Sequence, residues 1–82
     1  MTSLEKLQKA FREGLLLGDN VQYENLAYGR TEGWDSVAHM GLVASIEGEL
    51  DVMLATDEVI DLSSFVKAQE ILSTKHGISF PG

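Results

Sequence analysis

Three polar residues that could do chemistry, Asp35, Ser36 and His39, lie together in one short stretch of the chain. They are the residue types of a hydrolase triad, in which histidine activates serine for nucleophilic attack. The sequence has no Gly-x-Ser-x-Gly turn and no motif for an oxyanion hole. We predict instead that Ser36 caps the start of a helix and that His39 points toward the core. The sequence therefore favours a chain that is not itself an enzyme.

Other chemical arrangements are missing as well. The chain contains no cysteine and only two histidines, far apart in sequence, so we expect no metal site. Neighbouring carboxylates such as Asp57 and Glu58 belong to mutually repelling acidic runs, and there is no glycine-rich phosphate loop.

The charge of the chain is unevenly distributed. Net charge is −7, and residues 31–66 contain no Lys or Arg. The acids in this segment are Glu32, Asp35, Glu47, Glu49, Asp51, Asp57, Glu58 and Asp61. Such a field repels nucleic acid and anionic membranes and attracts basic protein partners. The alternative interpretation is an ordinary solvated acidic face.

The first element that positions these residues is an amphipathic helix. Thr2 and Glu5 have the spacing of a capping box. The apolar positions that follow at helical spacing are Leu4, Leu7, Ala10, Phe11 and Leu15. We predict that the helix ends between Leu16 and Gly18, with Gly18 as the left-handed cap. A long loop over residues 18–35 follows, with one short helical turn near residues 23–26.

The second helix is predicted from Ser36 to about Met53. At about 100° per residue, one narrow arc forms the core-facing stripe, made of Leu42, Val43, Ile46 and Leu50. Three further apolar residues extend this surface beyond what one core requires, namely Val37, Met40 and Ala44. Excess apolar surface flanked by acids is typical of a partner-binding face. Alternatively, the helix is central and covered on both sides. We expect His39 to be a partly buried, hydrogen-bonded packing residue.

Two more helices complete the predicted fold. A short one over residues 55–61 is capped by Thr56 or Asp57, and a last one is capped by Ser63 or Ser64 and ended by Gly77. The apolar stripe of the last helix is Phe65, Ala68, Ile71 and Leu72, and the tail residues expected to pack back are Ile78, Phe80 and Pro81. We predict one all-α domain over residues 1–82, a small four-helix bundle with a long first loop. With no signal segment or membrane span, we expect a soluble, cytoplasmic monomer.

The string Gly33-Trp34-Asp35-Ser36-Val37-Ala38-His39-Met40-Gly41-Leu42-Val43-Ala44-Ser45-Ile46-Glu47 resembles the attachment region of acyl carrier proteins. That family has Asp-Ser-Leu at the start of helix two, followed by spaced apolar residues and a glutamate. The resemblance extends to the order of helices over nearly the whole chain.

The resemblance implies that Ser36 carries 4′-phosphopantetheine, transferred from coenzyme A by a separate phosphopantetheinyl transferase. Acyl groups would then be carried as thioesters on the thiol of this arm and delivered to partner enzymes of fatty acid, polyketide or other specialised biosynthesis. By the same resemblance, Asp35 would help to position the transferase. The partner-binding residues would be Val37, Met40, Ala44 and Glu47, and those sheltering an acyl chain Leu42, Ile46 and Leu50.

The sequence also departs from the family pattern. Val37 stands in place of the usual leucine, and Gly41 and Gly48 stand where fatty-acid carriers tend to have acids or helix formers. These differences favour a dedicated pathway as the setting. Two alternatives stay open: a carrier of aminoacyl groups such as D-alanine or of peptidyl groups, and an acidic helical adaptor that is never modified, with Ser36 only a cap.

Overall fold

The structure is a computed structural model, and it describes residues 2–18 and 20–80. The helices in these ranges are α1 (Ser3–Gly14), α2 (Ser36–Leu50), α3 (Thr56–Asp61) and α4 (Phe65–His76), with one 3₁₀ turn at Tyr23–Asn25. The predicted all-α class is confirmed, and so is the short turn in the long first loop. Within the described ranges, no helix is long and apolar enough to cross a membrane.

The start of α1 is as predicted, but its end is not. The Thr2 hydroxyl accepts the Glu5 N–H at 3.1 Å, and the Thr2 N–H donates to the Glu5 carboxylate at 2.9 Å. The helix ends at Gly14, and the left-handed residue is Leu16, at φ 55°, rather than Gly18. The Leu17 N–H reaches back to the Arg12 carbonyl at 2.9 Å. This arrangement buries Leu15, leaves Leu17 half-buried against the core and leaves Leu16 itself 90% exposed.

Gly14 lets α1 lie close against α2. A Cβ atom at Gly14 would lie 2.7 Å from the Cα of Leu42, nearer than packed atoms allow. Nearer the middle of α1, Lys9 forms an ion pair with Glu49, close to the end of α2, at 3.4 Å. The two helices are therefore antiparallel, and the end of α1 lies beside the first half of α2.

The core is formed by apolar residues from α1, α2, α4 and the loops. Phe11 is fully buried and packs edge-on against Trp34 and Phe65, with ring centroids 5.6 and 4.9 Å apart. The predicted stripe of α4 is confirmed as buried, as are the α2 residues Leu42, Val43 and Ile46. Leu50 is half-buried at the edge of this core.

The long loop is fastened to the start of α4. The Tyr28 N–H donates to the Ser63 carbonyl at 2.8 Å, and the Phe65 N–H donates to the Leu26 carbonyl at 3.3 Å. Of the two predicted caps for α4, Ser64 is the one that bonds, accepting the Lys67 N–H at 2.9 Å. Gly77 ends this helix in the left-handed conformation, as predicted.

Two predicted boundaries around α3 are wrong. Helix α2 ends at Leu50 rather than near Met53, because Asp51 turns left-handed at φ 54°. Helix α3 is preceded by Ala55, not capped by Thr56 or Asp57. The side chain of alanine has no hydrogen-bond acceptor. The bond at this helix start is instead made by the Glu58 carboxylate, which accepts the Ala55 N–H at 2.7 Å.

The chain after α4 folds back in part. Ile78 and Phe80 are half-buried and pack against the core, as predicted. Pro81, which was expected to join them, lies outside the described residues.

Candidate functional site

Ser36 is the first residue of α2, and its side chain is exposed. The cap is Asp35, whose carboxylate accepts the Ala38 N–H at 2.9 Å. The prediction that Ser36 is the cap is therefore wrong by one residue. Asp35 has extended backbone angles (φ −116°, ψ −171°) and is the last residue before the helix, the position from which a side chain can cap. The Ser36 hydroxyl is thus not needed to begin the helix.

Trp34 anchors the end of the loop that precedes Asp35 and Ser36. Its ring is 2% exposed and packs edge-on against Phe11. Gly33 precedes it at φ 86°, a conformation that favours glycine. With Trp34 buried in the core, the chain emerges directly at Asp35 and Ser36, both of which are exposed. The sequence placed Trp34 in the long loop and in the string around Ser36, but did not single it out as the residue that anchors this stretch to the core.

His39 is a half-buried packing residue, as predicted. Its Nδ1 lies 3.0 Å from the indole Nε1 of Trp34, and its Nε2 lies 2.8 Å from the carbonyl oxygen of Val59. Tyr28 packs edge-on against the imidazole with centroids 5.4 Å apart. Both ring nitrogens are therefore occupied, and neither is paired with Ser36.

A cleft of about 350 Å³ lies beside Ser36, between α2 and α3. Helix α2 contributes Ser36, His39 and Met40, and α3 contributes Val59 and Ile60. The remaining lining residues are Tyr28, Leu62 and Ser63. Most of these side chains are apolar or aromatic, so the cleft suits an apolar group attached close to it.

The residues predicted to bind partners fall into two environments. Val37 and Met40 are 81% and 60% exposed, and Ala44 is also exposed. Glu47 is half-buried, and its carboxylate accepts the Leu54 N–H at 2.9 Å, which fastens the loop after α2. Glu47 therefore has a structural contact that the sequence did not reveal.

Ile60 on α3 belongs with the exposed apolar residues. It is 76% exposed and lines the same cleft as Met40. The sequence signal for it was weak, because a single turn of helix does not define which face is buried. Together, Val37, Met40, Ala44 and Ile60 form what we call the α2–α3 apolar surface, in a segment that carries acids but no Lys or Arg.

Glu58 is a buried acid that sequence reasoning placed among exposed charges. Both of its carboxylate oxygens lie 3.1 Å from Nε2 of His76, at the end of α4. The pKa of Glu58 lies below its usual value, chiefly because the carboxylate accepts the Ala55 N–H; burial opposes this, and His76 assists it. Glu58 thus fastens α3 to α4. Its pairing joins residues distant in sequence and had no local signal.

Comparison of the chain with protein-family models, with curated proteins and with solved structures found no match in any of the three. The functional conclusion therefore depends on the residues and geometry around Ser36. There, an exposed hydroxyl stands at a helix start, next to an apolar cleft and an acidic, apolar surface.

Proposed function

We propose that this chain is an acyl carrier protein that bears 4′-phosphopantetheine on the Ser36 hydroxyl. The observation that carries the proposal is that two neighbouring residues at the start of α2 have different environments. Asp35 caps the helix, while Ser36, one residue later, keeps its side chain in solvent. A modifying enzyme can reach such a hydroxyl, and its modification removes no contact on which the helix depends.

The start of a helix also suits the group that would be attached. The first N–H groups of a helix and the positive end of its dipole stabilise a phosphate. A phosphodiester on Ser36 would lie at this end of α2. The arm would supply a thiol for thioester formation, which the cysteine-free chain lacks.

The cleft beside Ser36 supports an apolar cargo. Its walls include Met40, Val59, Ile60 and Leu62, so an acyl chain extending from the arm could lie against apolar side chains. The cleft does not distinguish a fatty acyl from a polyketide group. An aminoacyl cargo such as D-alanine, or a peptidyl cargo, is the alternative within the same class.

The α2–α3 apolar surface supports transient docking to partner enzymes. Val37, Met40 and Ile60 are exposed, and the segment around them carries acids but no Lys or Arg. Basic partners would associate quickly with such a surface, in a manner sensitive to salt. The proposed partners are a phosphopantetheinyl transferase and acyl-loading and acyl-transferring enzymes in the cytoplasm.

The same surface favours a second candidate, an unmodified adaptor. Its exposed apolar side chains would serve a protein partner whether or not Ser36 is loaded. In that case Ser36 is simply the first residue of α2, and mutation of it leaves partner binding unchanged.

Intact mass separates the two candidates. The protein is incubated with coenzyme A and a promiscuous phosphopantetheinyl transferase, alongside Ser36→Ala and the control Ser63→Ala, a serine that lines the same cleft. We expect one pantetheinyl adduct on the wild type and on Ser63→Ala, and none on Ser36→Ala. No adduct on the wild type, or an adduct that persists in Ser36→Ala, would overturn the carrier proposal.

A further inference from the structure

His39 joins three segments of the molecule through one ring. It belongs to the first turns of α2, contacts Trp34 at the end of the long loop, and contacts the backbone of Val59 in α3. The two contacts are 3.0 and 2.8 Å long. Of the side chains lining the cleft, His39 is the one hydrogen-bonded across it to α3 in the described part of the chain.

The hydrogen-bond partners determine the protonation of the ring. The indole Nε1 of Trp34 is a donor only, so Nδ1 of His39 must be the acceptor and carries no proton. The carbonyl of Val59 is an acceptor only, so Nε2 must carry the proton and donate it. The arrangement therefore requires the neutral Nε2–H tautomer, and it leaves the ring no free nitrogen.

Helix α3, which His39 contacts through Val59, depends on contacts with other helices for its stability. Helix α3 has six residues, too few to be stable without packing. Its other described side-chain tether, Glu58 to His76, fastens it to the end of α4 and not to α2. Val59 and Ile60 form one wall of the cleft, while His39 and Ser36 form the facing wall.

We infer that His39 is a positioning residue that holds the α3 wall of the cleft against the start of α2. Its effect on cargo rests on the proposed function: by keeping the cleft narrow, His39 limits the access of outside reagents to a group attached at Ser36. The Trp34 bond orients the imidazole, and the Val59 bond fastens α3.

Two substitutions separate these bonds. The amide of glutamine reaches about as far as Nε2, so His39→Gln can still donate to the Val59 carbonyl. The shorter amide of asparagine falls near Nδ1, so His39→Asn can still accept from Trp34 but loses the bond to α3. Hydrogen exchange of the amides of residues 59–61 in the unmodified protein then reports the tether directly.

We expect exchange in His39→Asn to be about threefold to tenfold faster than in the wild type, as the loss of one neutral hydrogen bond predicts. His39→Gln should exchange at nearly the wild-type rate. Equal protection of α3 in all three proteins would overturn the tether. Faster exchange in His39→Gln than in His39→Asn would overturn the assignment of the Val59 bond as the one that fastens α3.

Nitrogen-15 NMR of the wild type tests the tautomer without any substitution. The chain has one tryptophan, so its indole N–H gives one resonance. A scalar coupling from that nitrogen to an unprotonated Nδ1 of His39 is expected. A proton on Nδ1 at neutral pH would contradict the arrangement, and this result holds even if a variant fails to fold.

The effect on cargo is measured on protein loaded with an octanoyl-phosphopantetheine arm. Hydroxylamine attacks the thioester carbonyl, forming octanoyl hydroxamate and releasing the thiol of the arm. We expect cleavage in His39→Asn to be about threefold to tenfold faster than in His39→Gln or the wild type. Equal rates would overturn the sheltering role. If the wild type accepts no arm, the carrier proposal fails, while the exchange experiment still decides whether His39 fastens α3.

Discussion

The two faces of α2 are both apolar, but they differ in what covers them. On one face, Leu42 and Ile46 are fully buried beneath α1 and the remaining core. On the other, Val37 and Met40 are 81% and 60% exposed. Composition does not separate these faces, since both carry large aliphatic side chains. The difference teaches that the exposed face is not needed for folding, which leaves it free for a partner.

Deletion of core side chains tests the buried face and has the largest expected effect. Ile46→Ala should lower the free energy of unfolding by about 2–5 kcal/mol, because it removes transfer energy and leaves a cavity. Met40→Ala, the matched change on the other face, should alter it by less than about 0.5 kcal/mol. Urea unfolding measures both.

Modification by the transferase tests the exposed face, where Met40→Ala should have an effect despite its small effect on stability. Met40→Ala should lower kcat/KM for modification of Ser36 by the transferase, while its melting temperature stays near that of the wild type. Equal stability losses in Ile46→Ala and Met40→Ala would remove the distinction between the two faces.

The start of α2 offers a sharper comparison between neighbouring residues. Asp35→Ala should cost about 1 kcal/mol of stability, because it removes the acceptor of the Ala38 N–H. Ser36→Ala should cost only a few tenths, since alanine suits the first turn and the serine is not the cap. Thermal unfolding of both variants checks the order. A larger loss in Ser36→Ala would restore the serine as the cap and weaken the proposal that its hydroxyl is free.

The first turn of α3 differs from that of α2 because it contains a buried acid, Glu58, and the pH dependence of stability tests this difference. The pKa of Glu58 is lowered in the folded state, so its carboxylate stabilises the fold above its unfolded pKa, and this contribution is lost as pH falls through the folded pKa. This stabilisation is complete at neutral pH, and its loss begins as the pH falls below the usual pKa of 4.5.

Urea unfolding between neutral pH and pH ~3 provides the measurement. We expect the stability of the wild type to fall more steeply with acid than that of Glu58→Gln, which cannot titrate. Parallel curves for the two proteins would show that the Glu58 carboxylate contributes nothing to acid sensitivity.

Much of the fold could be predicted because its signals are local. Capping at Thr2, the glycine end at Gly77 and the buried arc around Leu42 and Ile46 all follow from spacing within one helix. The all-α class follows from the same patterns. The elements that depend only on neighbouring residues were therefore the predictable ones.

The predictions from sequence failed where nonlocal packing overrides a local preference, or where two neighbouring residues have nearly the same preference. Glycine prefers the left-handed position at a helix end, yet Leu16 occupies it, because its neighbours are drawn into the core. Serine and aspartate are nearly equal as caps, so the sequence did not distinguish Ser36 from Asp35. The Glu58–His76 pair and the cleft between α2 and α3 depend on how separate helices meet.

The central claim, that the free hydroxyl at the start of α2 carries the arm, is tested most directly by locating the modification. The protein is treated with coenzyme A and the transferase and digested with trypsin, and the peptide that spans Thr31 to Lys67 is fragmented in the mass spectrometer. This peptide contains Ser36, Ser45, Ser63 and Ser64, so it carries its own controls. We predict a single phosphopantetheine on Ser36. An unmodified peptide, or the group on any of the other three serines, would contradict the proposal.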